Sequence, residues 1–196
     1  MHVIDPSYIL FLTFFIIILN YLKTNKNKKI VLILASMSFY YLLSPYFFFV
    51  LIIFIHITFF LGNMVSLMNN KQNGNFFLYF SILITLLPLI FYKYFIDSSL
   101  ILIQTFFNII SIKVSLNTIQ NSLIMPIGIS FYTFNALSYQ IDIFNNKTKP
   151  NKYINYVSYL SFFPHITAGP ISRVNDFIPQ LSNVGKINYD NIFKGG

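Results

Sequence analysis

The chain has 196 residues, 56% of them hydrophobic and 9% charged, with a formal net charge of +8 and a mean hydropathy of +0.65. Soluble domains carry roughly 25% charged residues, so the composition excludes an ordinary water-soluble globular fold and leaves no polar face on which a basic stripe would bind nucleic acid. There is no cysteine, and the 5 acidic residues are all aspartate, so no disulfide frame, thiolate chemistry or carboxylate-rich metal site is expected.

The expected elements follow from uncharged runs, since a helix needs about 20 apolar residues to cross roughly 30 Å of hydrocarbon. Residues 8–22 form the first, apolar except for Thr13 and Asn20. Asp5 precedes it in place of a basic segment, which argues for a membrane helix and against a cleaved signal peptide. Lys23, Lys26, Lys28 and Lys29 follow as the densest basic cluster. Lysine excess marks cytoplasmic loops, so the N-terminus is expected outside. Residues 30–70 carry no charge and divide at Ser44-Pro45, because proline lacks an amide donor and disfavours helix in the residue before it. Helices are therefore expected at 30–43 and 46–67, a polar stretch at 69–75, and a fourth helix at 76–92 ending outside at Lys93.

Residues 145–152, with Lys147, Lys149 and Lys152, read as a second cytoplasmic loop. An odd number of crossings must then separate Lys93 from Lys147. Of the two apolar candidates between them, 98–112 is short and interrupted by Gln104 and Asn108, so it is read as re-entrant or peripheral, and 125–144 as the crossing. Non-helical backbone at membrane depth requires a covering of protein or a water-filled cavity. The expectation is an all-α, polytopic integral membrane protein. Residues 1–94 supply four transmembrane helices and 95–196 the re-entrant, cavity-forming part. No internal repeat and no soluble domain is evident.

Met125-Pro126-Ile127-Gly128 opens a helix with proline near its first turn, where the missing N–H is harmless. Beyond it Gly128, Tyr132, Asn135, Tyr139 and Asp142 recur at helical spacing on one face, with Ile127, Phe131, Phe134 and Ile141 on another. Polar groups inside a membrane face the bundle interior or a cavity. Hydrogen bonding between helices and contact with substrate are both open for this row, and Asp142 also suits an interfacial position beside Lys147 and Lys149. The next helix, from Tyr153, reaches roughly half the hydrocarbon depth by Phe163 at ~1.5 Å per residue. Pro164 and Gly169-Pro170 interrupt it there. His165 sits at the interruption, where it can exchange protons near neutral pH or act as a structural hydrogen-bonder. Arg173, the sole arginine, has a planar fork suited to phosphate such as that of coenzyme A, and Asp176 at i+3 is an alternative partner. His56, central in the third span, is expected to bond between helices. There is no HExxH, Gly-rich phosphate loop, Gly-x-Ser-x-Gly or GxxxG motif.

Two stretches, MPIGISFYTFNALSYQIDIF (125–144) and YLSFFPHITAGPISRVNDFIPQL (159–181), resemble the membrane-bound O-acyltransferase (MBOAT) family. They are most similar to its bacterial branch of alginate and peptidoglycan O-acetyltransferases and the teichoic-acid D-alanyl transfer protein. The FPxxxAGPI string from Phe163 favours the alginate/peptidoglycan type. The resemblance implies a ring of membrane helices with re-entrant segments around a funnel. There an acyl group, here acetyl, leaves a cytoplasmic thioester such as acetyl-CoA for a polysaccharide hydroxyl, directly or by way of an extracytoplasmic esterase-like partner protein in secreted-polymer members. No bound cofactor is implied. The funnel-lining candidates are Tyr132, Asn135, Tyr139, Asp142, His165 and Arg173. The family's catalytic histidine lies in a later membrane helix, so the role is not transferred to His165, and residues 1–196 are expected to be an inactive N-terminal part of an enzyme in the bacterial cell membrane. A flippase-like carrier would require inverted repeats of broken helices, which the sequence lacks. A membrane scaffold that docks a partner is the remaining alternative.

Overall fold

In a computed structural model of the chain, the structure describes residues 6–22, 24–69, 73–95, 126–164 and 172–183, and every element among these is helical. The helices are α1 (Pro6–Tyr21), α2 (Asn25–Leu43), α3 (Pro45–Met68), α4 (Gly74–Ile90), α5 (Ile129–Phe144), α6 (Tyr153–Leu160) and α7 (Val174–Asn183). Two are long and apolar enough to cross a membrane: Pro45–Met68, and Gly74–Tyr94, which is α4 with its continuation. The re-entrant segment expected at 98–112 and His165 lie outside the described residues.

The division at Ser44-Pro45 falls where proline chemistry puts it. Ser44 is extended (φ −166°, ψ 121°) and its N–H donates to the Tyr40 carbonyl, while Pro45 takes the first position of α3, where a missing donor costs nothing. The start of α2 differs from expectation. Most of the basic cluster is helical rather than loop: α2 begins at Asn25 and takes in Lys26, Lys28 and Lys29. Lysine is a good helix former, and Lys28 N–H closes the first turn on the Thr24 carbonyl at 3.1 Å. Inside α4 is Pro88, which offers no N–H to the preceding turn. The backbone widens just beyond it into a π-turn, Phe91–Phe95, a recognised response to an interrupted ladder.

α5 also starts later than the sequence suggests. Pro126 lies in a turn ahead of it, and Gly128 caps the helix in the left-handed region (φ 74°, ψ 11°), which glycine adopts without penalty. α6 stops at Leu160, before Pro164 is reached. Ser158 and Ser161 donate to the Ile154 and Val157 carbonyls, each at 2.7 Å, and such back-bonding competes with the helical ladder.

The chain forms two compact units. One comprises residues 1–55 and 151–196 and contains α1, α2, α6, α7 and the first part of α3; the other comprises 56–150 and contains the rest of α3, α4 and α5. In the first, the fully buried Phe163 is the hub, its ring 5.2–5.9 Å from those of Phe11, Phe15 and Phe39. In the second, α5 packs along α4. Large apolar side chains are exposed along α1 to α4, among them Phe14, Leu34, Phe60 and Tyr79, a surface that favours hydrocarbon over water.

Candidate functional site

The polar row read from the sequence lies on the buried side of α5. Tyr132, Asn135, Tyr139 and Asp142 are 1–4% exposed, whereas Phe134 and Ile141 are 44% and 40% exposed. The helix is thus turned opposite to a surface helix of a soluble protein: its polar face is inside and its aromatic and aliphatic face outside, the orientation polar groups take within a membrane. From Tyr132 to Asp142 the row rises ~15 Å along the axis. It carries two phenols, an amide and a carboxyl group, all able to hydrogen-bond a polar substrate.

Neighbouring helices fix this row. Tyr139 lies against Gly62 of α3: a Cβ built at Gly62 would stand 2.8 Å from Tyr139 Cε1 and 3.7 Å from Ile143 Cδ1. Only a residue without a side chain leaves room for the ring. On the α4 side, Gln140 Nε2 donates to Thr85 Oγ1 at 2.9 Å, and the same pair approaches at 3.3 Å through Thr85 Oγ1 and Gln140 Oε1. Both residues are buried, with Ser81 one turn before Thr85 on the same face. Close helix approach through small residues and a buried polar pair is how helices associate where the hydrophobic effect is absent.

The far end of α5 is also tied down. Lys147 and Thr148 N–H groups converge on the Asp142 carbonyl at 2.8 and 3.2 Å, and Asn146 turns the chain in the left-handed region (φ 55°). Asn69, just past α3, donates its side-chain amide to the Phe144 carbonyl at 2.7 Å. Asp142 is consequently held at the last turn of α5, buried, and bordered by the loop that carries Lys147 and Lys149.

Sequence reasoning missed Gln140, Thr133, Thr85 and Gly62. The signal for the first two was available: Thr133, Ala136 and Gln140 recur at helical spacing beside the row, and all three are buried. Thr133 Oγ1 is buried with no hydrogen-bond partner among the described residues. The remaining candidates belong elsewhere. Arg173 is in the other compact unit, exposed, immediately before α7. Its carbonyl accepts the Asp176 and Phe177 N–H groups at 3.1 and 3.0 Å, which opens α7. Tyr159 OH donates to the Ser172 carbonyl at 2.6 Å, and its ring meets Phe177. These contacts fix the residue beside Arg173.

Comparison with curated proteins finds a 62-residue stretch, 31% of the chain, that is 39% identical to the probable alginate O-acetylase AlgI of Pseudomonas aeruginosa and covers 12% of that protein. The corresponding protein of Pseudomonas putida is 39% identical over 61 residues, or 31% of the chain and 13% of the relative. That of Azotobacter vinelandii is 36% identical over 62 residues, or 31% and 12%. The chain thus matches only about an eighth of the length of these relatives. No protein-family profile matches the chain. No solved structure matches it either. The motif resemblance to alginate O-acetylases is borne out over that stretch.

Proposed function

We propose that this chain is part of a membrane-bound O-acyltransferase of the bacterial cell membrane that moves an acetyl group from a cytoplasmic thioester, acetyl-CoA, toward hydroxyls of a cell-surface or secreted polysaccharide. The observation that carries this reading is the likeness to alginate O-acetylases, and the polar-inward setting of α5 is in keeping with it. In the reaction, an acceptor hydroxyl loses its proton to a base and attacks the thioester carbonyl. The thiol leaves, and water must be kept out to prevent hydrolysis. The buried row Tyr132, Asn135, Tyr139 and Asp142 supplies hydrogen bonds along one wall of the path. Arg173, in the other unit, has a guanidinium suited to phosphate. By the family resemblance the base is a histidine from a later helix. His165 is assigned a lining position rather than that of base. An extracytoplasmic partner protein completes delivery to the polymer.

The test uses membranes containing the chain in its native reading frame, supplied with acetyl-labelled coenzyme A and polysaccharide. Alkali-labile label on the glycan is expected, and it should fall at least tenfold in Asp142→Asn, with the protein still present in the membrane at normal levels. Residues 1–196 produced alone are expected to transfer no label. Thioester-dependent label from that piece would overturn its assignment as inactive. Absence of label from the native reading frame, with counter-transport of substrate in liposomes, would replace the enzyme by a carrier.

A further inference from the structure

The unit built from residues 1–55 and 151–196 has a cationic end to which the reading above gives no role. α2 carries Lys26, Lys28 and Lys29 in its first turns and no acidic residue there, so these ammonium groups stand at the positive end of the helix dipole. Lys29 Nζ donates to Asn155 Oδ1 at 2.7 Å, an acceptor that carries no charge. Asn155 is one turn from Lys152, which precedes α6 and whose carbonyl accepts the Asn155 N–H at 2.9 Å. The bond therefore draws the Lys29 ammonium to the end of α6 occupied by Lys152, although like charges repel.

The same face of α2 changes character along its length. Lys26 is exposed, and residues at successive i+4 steps, Ile30 and Leu34, are 39% and 59% exposed. A free phosphate or nucleotide would use the cations and leave this apolar stripe idle. A phosphate headgroup with attached acyl chains uses both. We propose that Lys26, Lys29 and Lys152, with the exposed Ile30–Leu34 stripe of α2, bind an anionic phospholipid of the membrane leaflet facing the basic segments. The proposal rests on the membrane reading given above.

The purified chain is reconstituted in phosphatidylcholine vesicles with and without phosphatidylglycerol. Resistance to alkaline carbonate extraction reads insertion, and native mass spectrometry after detergent release reads retained lipid. Retention in both vesicle types is expected, with phosphatidylglycerol retained in preference to phosphatidylcholine. Preference should fall about fivefold for each lysine replaced in the series Lys26→Gln, Lys29→Gln and Lys152→Gln, and persist in Lys29→Arg. Inorganic phosphate and coenzyme A at millimolar concentration should not displace the lipid. Extraction by carbonate would overturn the membrane reading together with this site. Retention with no phosphatidylglycerol preference, an unchanged preference in the triple variant, or displacement by coenzyme A would overturn the lipid site alone.

Discussion

Tyr139 is fully buried because Gly62 lacks a side chain, and this contact ties the middle of the polar row to α3. Gly62→Ala forces a methyl group into a buried ring, and overpacking of this kind costs roughly 1–3 kcal/mol. The expected result is a lower midpoint of thermal unfolding in detergent, with partial recovery on adding Tyr139→Leu. An unaltered midpoint would mean that the ring does not occupy this position. At Gly128 the penalty has another source. Its φ of 74° costs an L-residue about 1–2 kcal/mol, so Gly128→Ala should destabilise α5 through backbone strain. The two glycines differ in how far they could be read from the sequence. Gly128 stands beside Pro126 ahead of an apolar run, a local signal of a helix start. The partner that makes Gly62 necessary is on another helix, and no local pattern announces it.

The legible features among the helices are those with local causes. Ser44-Pro45 ends α2 because of proline sterics, and the polar row of α5 follows from spacing alone. The extent of α2 is not legible from charge, because lysines mark loops and are equally compatible with helix, and Lys29 finds Asn155 across the unit. α6 ends earlier than Pro164 alone predicts, where Ser158 and Ser161 bond back to the chain. Pairings between helices are illegible for a simpler reason: the partners are distant in sequence. Thr85 and Gln140 illustrate this, and a double-mutant cycle with Thr85→Val and Gln140→Leu should give a coupling energy of about 1 kcal/mol, in the range of buried polar pairs between membrane helices. A zero coupling would leave α4 and α5 held by packing alone. Phe163→Ala removes the ring that joins Phe11, Phe15 and Phe39 and should cost roughly 3–5 kcal/mol, read as loss of the monodisperse species at elevated temperature.

For the molecule as a whole, composition already pointed to helices in hydrocarbon, and the exposed apolar side chains of α1 to α4 agree with that. Orientation is a separate matter and rests on lysine placement. Single cysteines introduced at Lys26 and Lys149 should react with impermeant maleimide only after the cytoplasmic face is opened, and labelling of both from outside would reverse the topology. The division of the chain between its units was not legible, since one is assembled from both ends of the sequence. That arrangement has a consequence for biosynthesis. Lys29 and Asn155 are 126 residues apart, and Ser36 and Phe163 are 127 apart. At about 5–20 residues per second, the ribosome needs on the order of ten seconds between releasing α2 and releasing the helix that covers it. For that interval the nascent α1–α2 pair has its inner aromatic face uncovered, while α3, α4 and α5 emerge and can fold against one another first.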